Sequence, residues 1–281
     1  MNARKRTKNG AGDASAEGFY VYCVGERAAL EPLFASALPA AIEADAGLRL
    51  IADDVLAAVC SVVALADYGE EALQARLADA TWTAVRAMRH ERVVEHFARR
   101  ASVVPLRFGT IYLARNGVEQ MLAAQRAELQ AIIEGLRGRE EWGVNVYCDR
   151  ARLSAQIVKL SPRLRELSEQ AARATPGQSY LWQKKIEALR ADEVRVEARR
   201  TANEIERELA RVSDRTARLR VLKDEASEHG DAVAKFAFLV ARARFAAFRA
   251  AAEALADAHA PAGYKLELTG PWPAYNFAGG E

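Results

Sequence analysis

The sequence has few of the residues from which metal centres, nucleophiles and disulfide frameworks are built. Its 281 residues include 3 cysteines and 4 histidines. Cys23, Cys60 and Cys148 are odd in number, widely spaced and set among apolar neighbours. They are therefore predicted to be small buried hydrophobic residues rather than disulfide partners, which favours a reducing, cytoplasmic compartment.

An excess of one charge and a long apolar run are also missing. The 40 basic and 38 acidic residues leave a formal net charge of +2, whereas a nucleic-acid binder needs a concentrated basic field. The longest apolar stretch, Val55 to Ala66, is well short of the roughly 20 residues that cross a membrane as a helix. Residues 1–17 begin basic without the apolar segment of a signal peptide and are predicted to be a flexible tail. Neither nucleic acid nor a membrane is expected as a partner.

Motifs that carry catalysis are missing too, including a glycine-rich phosphate loop, a G-x-S-x-G elbow and a CxxC pair. The segment HERVVEH resembles a helical zinc motif, but such a site needs histidines four residues apart. The residue four positions after His90 is Val94, and His96 lies on another side of the helix. No catalytic, cofactor-binding or metal-binding residues, no cofactor and no small-molecule substrate are therefore predicted. A metal-dependent hydrolase using His90 and His96 is kept as an alternative.

Hydrophobic residues make up 51% of the chain and charged residues 28%, as in a soluble globular protein of two domains. The pattern of residues 18–138 predicts a smaller N-terminal α/β domain. Its first strand, 19–25, should place Phe19, Val21 and Cys23 on one face. A hairpin follows, with strands 48–51 and 55–65 on either side of an Asp53-Asp54 turn. Further along, Thr81 is predicted to cap a helix.

Residues 139–281 show the order βαββαβ, which predicts an α+β chain with a C-terminal ferredoxin-like domain. The strand EWGVNVYC places Val144 and Val146 on one face, and AKFAFLV does the same with Phe236 and Phe238. Between them, apolar residues recur every three or four positions from about 150 to 213, which predicts an inserted long αα-hairpin, kinked at Ser161. The second alternative is an RNA-binding sheet of the RRM type, whose aromatic signature is missing, or another ferredoxin-like binding module.

Two segments suggest contacts with other molecules. PLRFGT, 105–110, holds Arg107 and Phe108 between a proline and a glycine, so Arg107 either pairs with a carboxylate of this chain or belongs to an interaction site. The terminal GPWPAYNFAGGE offers Trp272, Tyr275 and Phe277 on a stiff backbone that could also fold back onto the core.

Together, YVYCV, HERVV, VVPLRFGTIY, EWGVNVY and GPWPAYNF, in this order, resemble the gas vesicle protein L/F family, GvpL and GvpF. The resemblance covers nearly all of the chain after the tail. It implies a two-domain α/β protein of the cytoplasm, needed for gas vesicle formation, that contacts the small hydrophobic shell protein and other accessory proteins. It implies no catalysis. Ala274 and Asn276 depart from the family's usual proline and serine.

Overall fold

The computed structural model describes residues 16–221, 226–227 and 230–279, which form two compact units. The first unit ends at Arg137 and resumes at Pro273, whereas the second comprises Gly138–Trp272. The predicted domains, 18–138 and 139–281, differ from this division because the chain after Trp272 lies with the first unit. Of the predicted tail, residues 1–15 lie outside the described residues, and Glu17 is already the first residue of a strand.

The first unit is built on an antiparallel sheet. Its elements are β1 (Glu17–Glu26), α1 (Arg27–Leu30), a 3-10 turn (Glu31–Ala35), β2 (Leu48–Ala52), β3 (Leu56–Ala64), α2 (Leu65–Tyr68), α3 (Glu70–Leu77), α4 (Ala80–Ala98), β4 (Val103–Pro105), β5 (Ile111–Tyr112), α5 (Arg115–Ala124) and α6 (Arg126–Leu136). The strand order is β2–β3–β1–β4, and β5 pairs with β1 as well. The predicted hairpin of β2 and β3 is confirmed, and Asp53 closes its turn by accepting hydrogen bonds from the amides of Val55 and Leu56.

Strand β1 is apolar along both faces because helices cover the sheet on both sides. Tyr20 and Tyr22 pack in one core with residues of α4, while Val21 packs in the other core with residues of α5 and α6. The predicted face of β1 was wrong at Cys23. A register shift between Val21 and Cys23 moves this thiol into the core that contains the tyrosines.

The second unit contains a second antiparallel sheet. Its elements are β6 (Arg139–Cys148), α7 (Arg150–Leu160), α8 (Pro162–Arg173), α9 (Pro176–Ala210), β7 (Arg215–Leu219), β8 (Ala226–Ser227), β9 (Gly230–Ala241), α10 (Phe245–His259) and β10 (Tyr264–Trp272). The strand order is β10–β6–β9–β7, every neighbouring pair is antiparallel, and β8 pairs with β9. The chain is thus a mixed α+β protein with two antiparallel sheets.

The core of the second unit lies between this sheet and its helices. The predicted inward positions Val144, Val146, Phe236 and Phe238 are all buried, which confirms the alternation seen in the sequence. The predicted kink is confirmed as well, because α7 ends before Ser161 and the Ser161 hydroxyl caps α8. Within the described ranges, no helix combines the length and the apolar character needed to span a bilayer.

The cap of α4 gives a test of how the local sequence starts this helix. Thr81 does not cap it: the carboxylate of Asp79 accepts from the amides of Thr81 and Trp82. Asp79→Ala should therefore lower the free energy of unfolding by about 1 kcal/mol, because two first-turn amides lose their acceptor. Thr81→Ala should change it by less than about 0.5 kcal/mol. Urea denaturation followed by circular dichroism measures both, and a larger loss for Thr81→Ala would contradict this cap.

Candidate interaction site

The segment PLRFGT leaves β4 through a tight turn. The amide of Thr110 donates to the carbonyl of Arg107 at 3.2 Å, and the Thr110 hydroxyl donates to the same oxygen at 2.7 Å. Gly109 has a φ of 85°, the left-handed conformation that this third turn position requires and that glycine adopts without steric cost. The turn separates its two predicted contact residues, since Phe108 packs in the core of the first unit and Arg107 is exposed.

A chain of hydrogen bonds passes through the buried imidazole of His90 on α4. On one side, the Gly109 amide donates to the Tyr20 hydroxyl at 3.0 Å, and this hydroxyl lies 2.9 Å from Nδ1 of His90. On the other side, Nε2 lies 3.1 Å from the hydroxyl of Tyr275, which donates to the carboxylate of Glu91 at 3.1 Å. We call these five residues the His90 chain.

The carboxylate end of the His90 chain fixes the direction of the bonds on the Tyr275 side. A peptide amide only donates, and an ionised carboxylate only accepts. Because the Tyr275 proton goes to Glu91, the Tyr275 oxygen must accept from Nε2–H of His90. Nε2 therefore carries a proton. The charge of the ring decides the other bond: in the neutral imidazole, Nδ1 accepts from Tyr20, whose oxygen in turn accepts from Gly109.

The pKa directions agree with this protonation state. Burial lowers the pKa of His90 to about 4, although a backbone hydrogen bond with Leu106 acts in the opposite direction. Burial raises the pKa of Glu91, and the hydrogen bond from Tyr275 opposes that rise. Burial also raises the pKa of Tyr20 and of Tyr275. At neutral pH the imidazole and both phenols are therefore uncharged.

Aromatic rings enclose the imidazole. The Tyr22 ring stacks on it with 5.7 Å between centroids, and the Phe108 ring meets it edge-on at 5.8 Å. Phe108 also packs edge-on against Tyr20 at 6.2 Å. His90 is 3% exposed, and in this buried environment its hydrogen bonds are stronger and their loss more costly than in water.

The structure brings only some of the predicted contact residues together. Phe108 and Tyr275 meet at His90, and Arg107 lies exposed in the adjoining turn. Phe277 is 2% exposed, so it too serves the packing of the first unit. Trp272 belongs to the second unit, where it is 51% exposed and its indole N–H donates to the Thr269 hydroxyl at 3.1 Å. Their role as contacts for another protein stays a prediction.

His96, the second histidine of HERVVEH, stands apart from the His90 chain. Its Nε2 is buried and makes no hydrogen bond within the described part of the chain, and burial lowers its pKa. Both nitrogens of His90 are already engaged. Across residues 16–221, 226–227 and 230–279, no group of three or more histidine, cysteine, aspartate and glutamate side chains could hold a metal ion.

Sequence reasoning missed Tyr20 and the role of His90. One signal was present: a tyrosine in a strand buried on both faces needs a hydrogen-bond partner for its hydroxyl. The sequence could not identify this partner, because His90 lies 70 positions after Tyr20. Tyr275, the next residue of the His90 chain, lies 255 positions after Tyr20.

The depressed pKa of His90 makes stability depend on pH. The unfolded chain takes up a proton near pH 6.5 and the folded chain only near 4, so the unfolded state binds more protons in between. The contribution of His90 to the free energy of unfolding is fully present above pH 6.5 and is lost as the pH falls to about 4. This loss is on the order of 3 kcal/mol. The raised pKa of Glu91 has the opposite effect: its contribution to stability decreases as the pH rises.

His90→Gln removes the titrating group and keeps an amide that can hydrogen bond. We expect this variant to be less stable than the wild type at pH 7.5, with the difference shrinking towards pH 4.5. Guanidinium denaturation at a series of pH values measures it. A difference between the two proteins that does not change with pH would rule out a neutral buried His90.

The sequence and the fold are similar to those of known proteins. The family model described as "Gas vesicle synthesis protein GvpL/GvpF" matches residues 18–279. "Gas vesicle protein L" of a Streptomyces species is 32% identical over 235 residues, covering 82% of this chain and 83% of that protein. "Gas vesicle protein L2" of Halobacterium salinarum is 25% identical over 271 residues, covering 93% and 91%.

Solved structures show the same fold. The crystal structure of the gas vesicle protein GvpF from Anabaena sp. PCC7120 superposes with a TM-score of 0.64 at 18% identity, covering 94% of this chain and 97% of that one. GvpF from Microcystis aeruginosa gives a TM-score of 0.58 at 16% identity, covering 93% and 99%. Because the family model spans both units and the terminal segment of the first, the chain belongs to the gas vesicle synthesis protein family GvpL/GvpF.

Proposed function

We propose that this family member is an accessory or minor structural protein required for gas vesicle assembly in the cytoplasm. It binds the small hydrophobic shell protein and other vesicle proteins. The observation that carries this proposal is the match of the family model over residues 18–279, nearly the whole described chain. A shell that excludes water needs strongly apolar subunits, and such subunits aggregate unless another protein shields them.

We propose that the chain acts by binding rather than by catalysis. Burial raises the pKa of Cys60 and of Cys148 to about 11 and that of Cys23 further, so the thiols stay protonated and weakly nucleophilic. His90 is neutral and enclosed by aromatic rings. These features argue against the alternative of a hydrolase using His90 and His96.

The second alternative was an RNA-binding sheet in the second unit. Stacking of bases requires aromatic rings on an exposed sheet face. Phe236 and Phe238 are instead buried among helix residues. Their rings contact each other, and the Phe238 ring also contacts that of Phe248. This burial favours a protein partner over a nucleic acid.

We further propose that the second unit has the ferredoxin-like arrangement. Counted within βαββαβ, the strands β6, β7, β9 and β10 are the first to fourth. Their order across the sheet is therefore fourth, first, third, second, with antiparallel neighbours throughout. In this arrangement α7, α8 and α9 replace the single helix of the first crossover, which is the predicted insertion.

A substitution at Arg107 tests whether the PLRFGT turn contacts another vesicle protein. It is exposed, and no carboxylate of the described residues pairs with it. Arg107→Lys keeps the charge and loses the planar fork that binds a carboxylate in two places. We expect an unchanged melting temperature and reduced buoyancy of cells that carry the complete vesicle gene set. Arg92→Lys, at another exposed position of the first unit, is the matched control and should leave buoyancy unchanged. Normal vesicles with Arg107→Lys would remove this residue from the interface.

The helical hairpin has a distal part, in which α8 packs on α7 and α9 and contributes Leu164 and Leu167 to the core of the second unit. The predicted hairpin, 150–213, includes Ala202, Ile205 and Leu209, which are fully buried in the same core as the strands. This distal part lies beyond Ser161 and Glu193. The Ser161 hydroxyl donates to Glu193 at 2.8 Å, so a deletion between these two residues joins points of the chain that are already adjacent.

We expect a variant that lacks Arg163–Asp192, with Pro162 joined to Glu193 by a short glycine linker, to remain folded and soluble. It should no longer co-purify with vesicle proteins or support vesicle formation. Circular dichroism and affinity co-purification from cells that express the vesicle gene set measure both properties. Unchanged co-purification by a folded variant would show that the distal hairpin is only scaffold.

A further inference from the structure

Strand β10 is an open edge of the second sheet. It pairs with β6 on one side, and no second strand pairs with it among the described residues. The amide of Asp149 donates to the carbonyl of Gly263 at 2.9 Å, which continues the β6–β10 register. Because the backbone groups of an antiparallel strand point alternately to its two sides, those of Tyr264, Leu266 and Leu268 point away from β6. This edge therefore presents donors and acceptors to which another strand can pair.

An apolar groove lies beside this edge, between the sheet and α10. Its volume is about 420 Å³. Leu266 and Leu268 line it from β10 and are partly exposed, and α10 contributes Ala252. Trp142 and Phe245 also line it, and their rings stack with 4.1 Å between centroids. A strand added at the edge would place its own inward side chains next to the two leucines and would remove apolar surface from water.

The sequence of β10 is complementary to itself. Tyr264, Leu266 and Leu268 lie on the face that packs in the core of the second unit, and the charged Lys265 and Glu267 alternate with them. A two-fold axis at Leu266 makes two copies of β10 antiparallel, with Leu266 opposite its own counterpart. Tyr264 then lies opposite Leu268 of the second copy, and Lys265 lies opposite Glu267 of the second copy. Every apolar side chain faces an apolar one, and every charge faces the opposite charge.

Charge selects this register over its neighbours. An axis one residue earlier would set Lys265 opposite itself, and an axis one residue later would set Glu267 opposite itself. Like charges directly opposite each other destabilise a strand pair. In the register centred on Leu266, the two charged residues occupy non-hydrogen-bonded pairs, in which side chains approach most closely. The hydrogen-bonded pairs fall to Tyr264, Leu266 and Leu268, whose backbone groups point to the open edge.

We propose that β10 binds β10 of a second copy of this chain, antiparallel and centred on Leu266, so that the two sheets join at this edge. The pairing is independent of the vesicle role, because it follows from the sequence and the hydrogen-bond pattern of β10 alone. A lysine on an edge strand ordinarily blocks such pairing, but Glu267 gives Lys265 an opposite charge to face. A second copy is favoured over a strand of another protein because β10 itself supplies both charges and the apolar alternation in the matching order.

Sedimentation equilibrium of the full chain should show a monomer–dimer equilibrium. Lys265→Glu and Glu267→Lys should each raise the dissociation constant by about tenfold or more, because both ion pairs across the seam become like-charge pairs. An equimolar mixture of these two variants should form a heterodimer at least as stable as the wild-type dimer, because an acidic strand then faces a basic one. A chain that carries both changes should dimerise as the wild type does, since the two charges merely exchange places.

Lys184→Glu, at an exposed position of α9, is the matched control and should leave the dissociation constant unchanged. Melting curves verify that each variant is folded. This matters most for Glu267, whose carboxylate accepts from Asn145 at 3.0 Å and from the Tyr147 hydroxyl at 3.3 Å. The mixture keeps the test valid, because a misfolded variant would not regain pairing when the other variant is added.

Hydrogen exchange measured by NMR below and above the dissociation constant locates the seam. The amides of Tyr264, Leu266 and Leu268 should exchange more slowly in the dimer, while those of Lys265 and Glu267, which face β6, should change little. A chain that stays monomeric at its highest soluble concentration, a dimer that ignores both charge reversals, or variants that do not pair in the mixture would each overturn the proposal. Protection of these amides only after another vesicle protein is added would assign the edge to a foreign strand and would overturn it as well.

Discussion

The first unit depends on the satisfaction of one buried polar group, the imidazole of His90. An imidazole nitrogen left without a hydrogen bond in this environment would cost about 1–3 kcal/mol, so both nitrogens must find partners that the local helix cannot supply. Tyr20 and Tyr275 supply them from the opening strand and the last described segment. The same hydroxyls satisfy the amide of Gly109 and a carboxylate oxygen of Glu91, so the bonds of the chain are interdependent. Four segments far apart in sequence are thereby fixed to one ring.

This arrangement explains why the segments PLRFGT and GPWPAYNFAGGE each contain both buried and exposed residues. Phe108 and Tyr275 are committed to the His90 chain and its aromatic enclosure. Arg107 and Trp272, by contrast, are exposed at the edges of the elements that carry them. In both segments, a residue that anchors the backbone lies close in sequence to one that is available at the surface. Such an arrangement presents a side chain on rigid backbone, which lowers the entropy lost when another protein binds.

The second unit uses polar contacts in a comparable way at the base of its hairpin. The buried carboxylate of Glu193 accepts from the Ser161 hydroxyl and pairs with Arg163, and Glu197 pairs with Arg200. Buried polar groups of this kind fix the register between helices that apolar side chains alone would leave adjustable. The hairpin is thus held firmly at Ser161 and Glu193, and beyond them α8 packs on α9 rather than on the sheet.

The sequence by itself determined the parts of this protein that follow from local periodicity and turn chemistry. The β2–β3 hairpin, the alternation in β6 and β9, and the break at Ser161 each depend on residues within a few positions of one another. The order of the motifs was also enough to indicate the gas vesicle protein L/F family. Local sequence was less decisive for the cap of α4, because Asp79 and Thr81 lie two residues apart and either residue type can cap a helix. Thr81 was predicted as the cap, whereas Asp79 caps the helix.

Only the tertiary structure decided which unit the chain end joins and which aromatic residues are exposed. Tyr275 and Phe277 carry the same apolar surface as Trp272, and nothing in their immediate sequence distinguishes them. The difference arises because Tyr275 reaches a histidine 185 positions earlier in the chain. Partners at such separations are selected by the packing of the whole unit, since a buried hydroxyl or imidazole must be satisfied by whatever group the fold brings within about 3 Å.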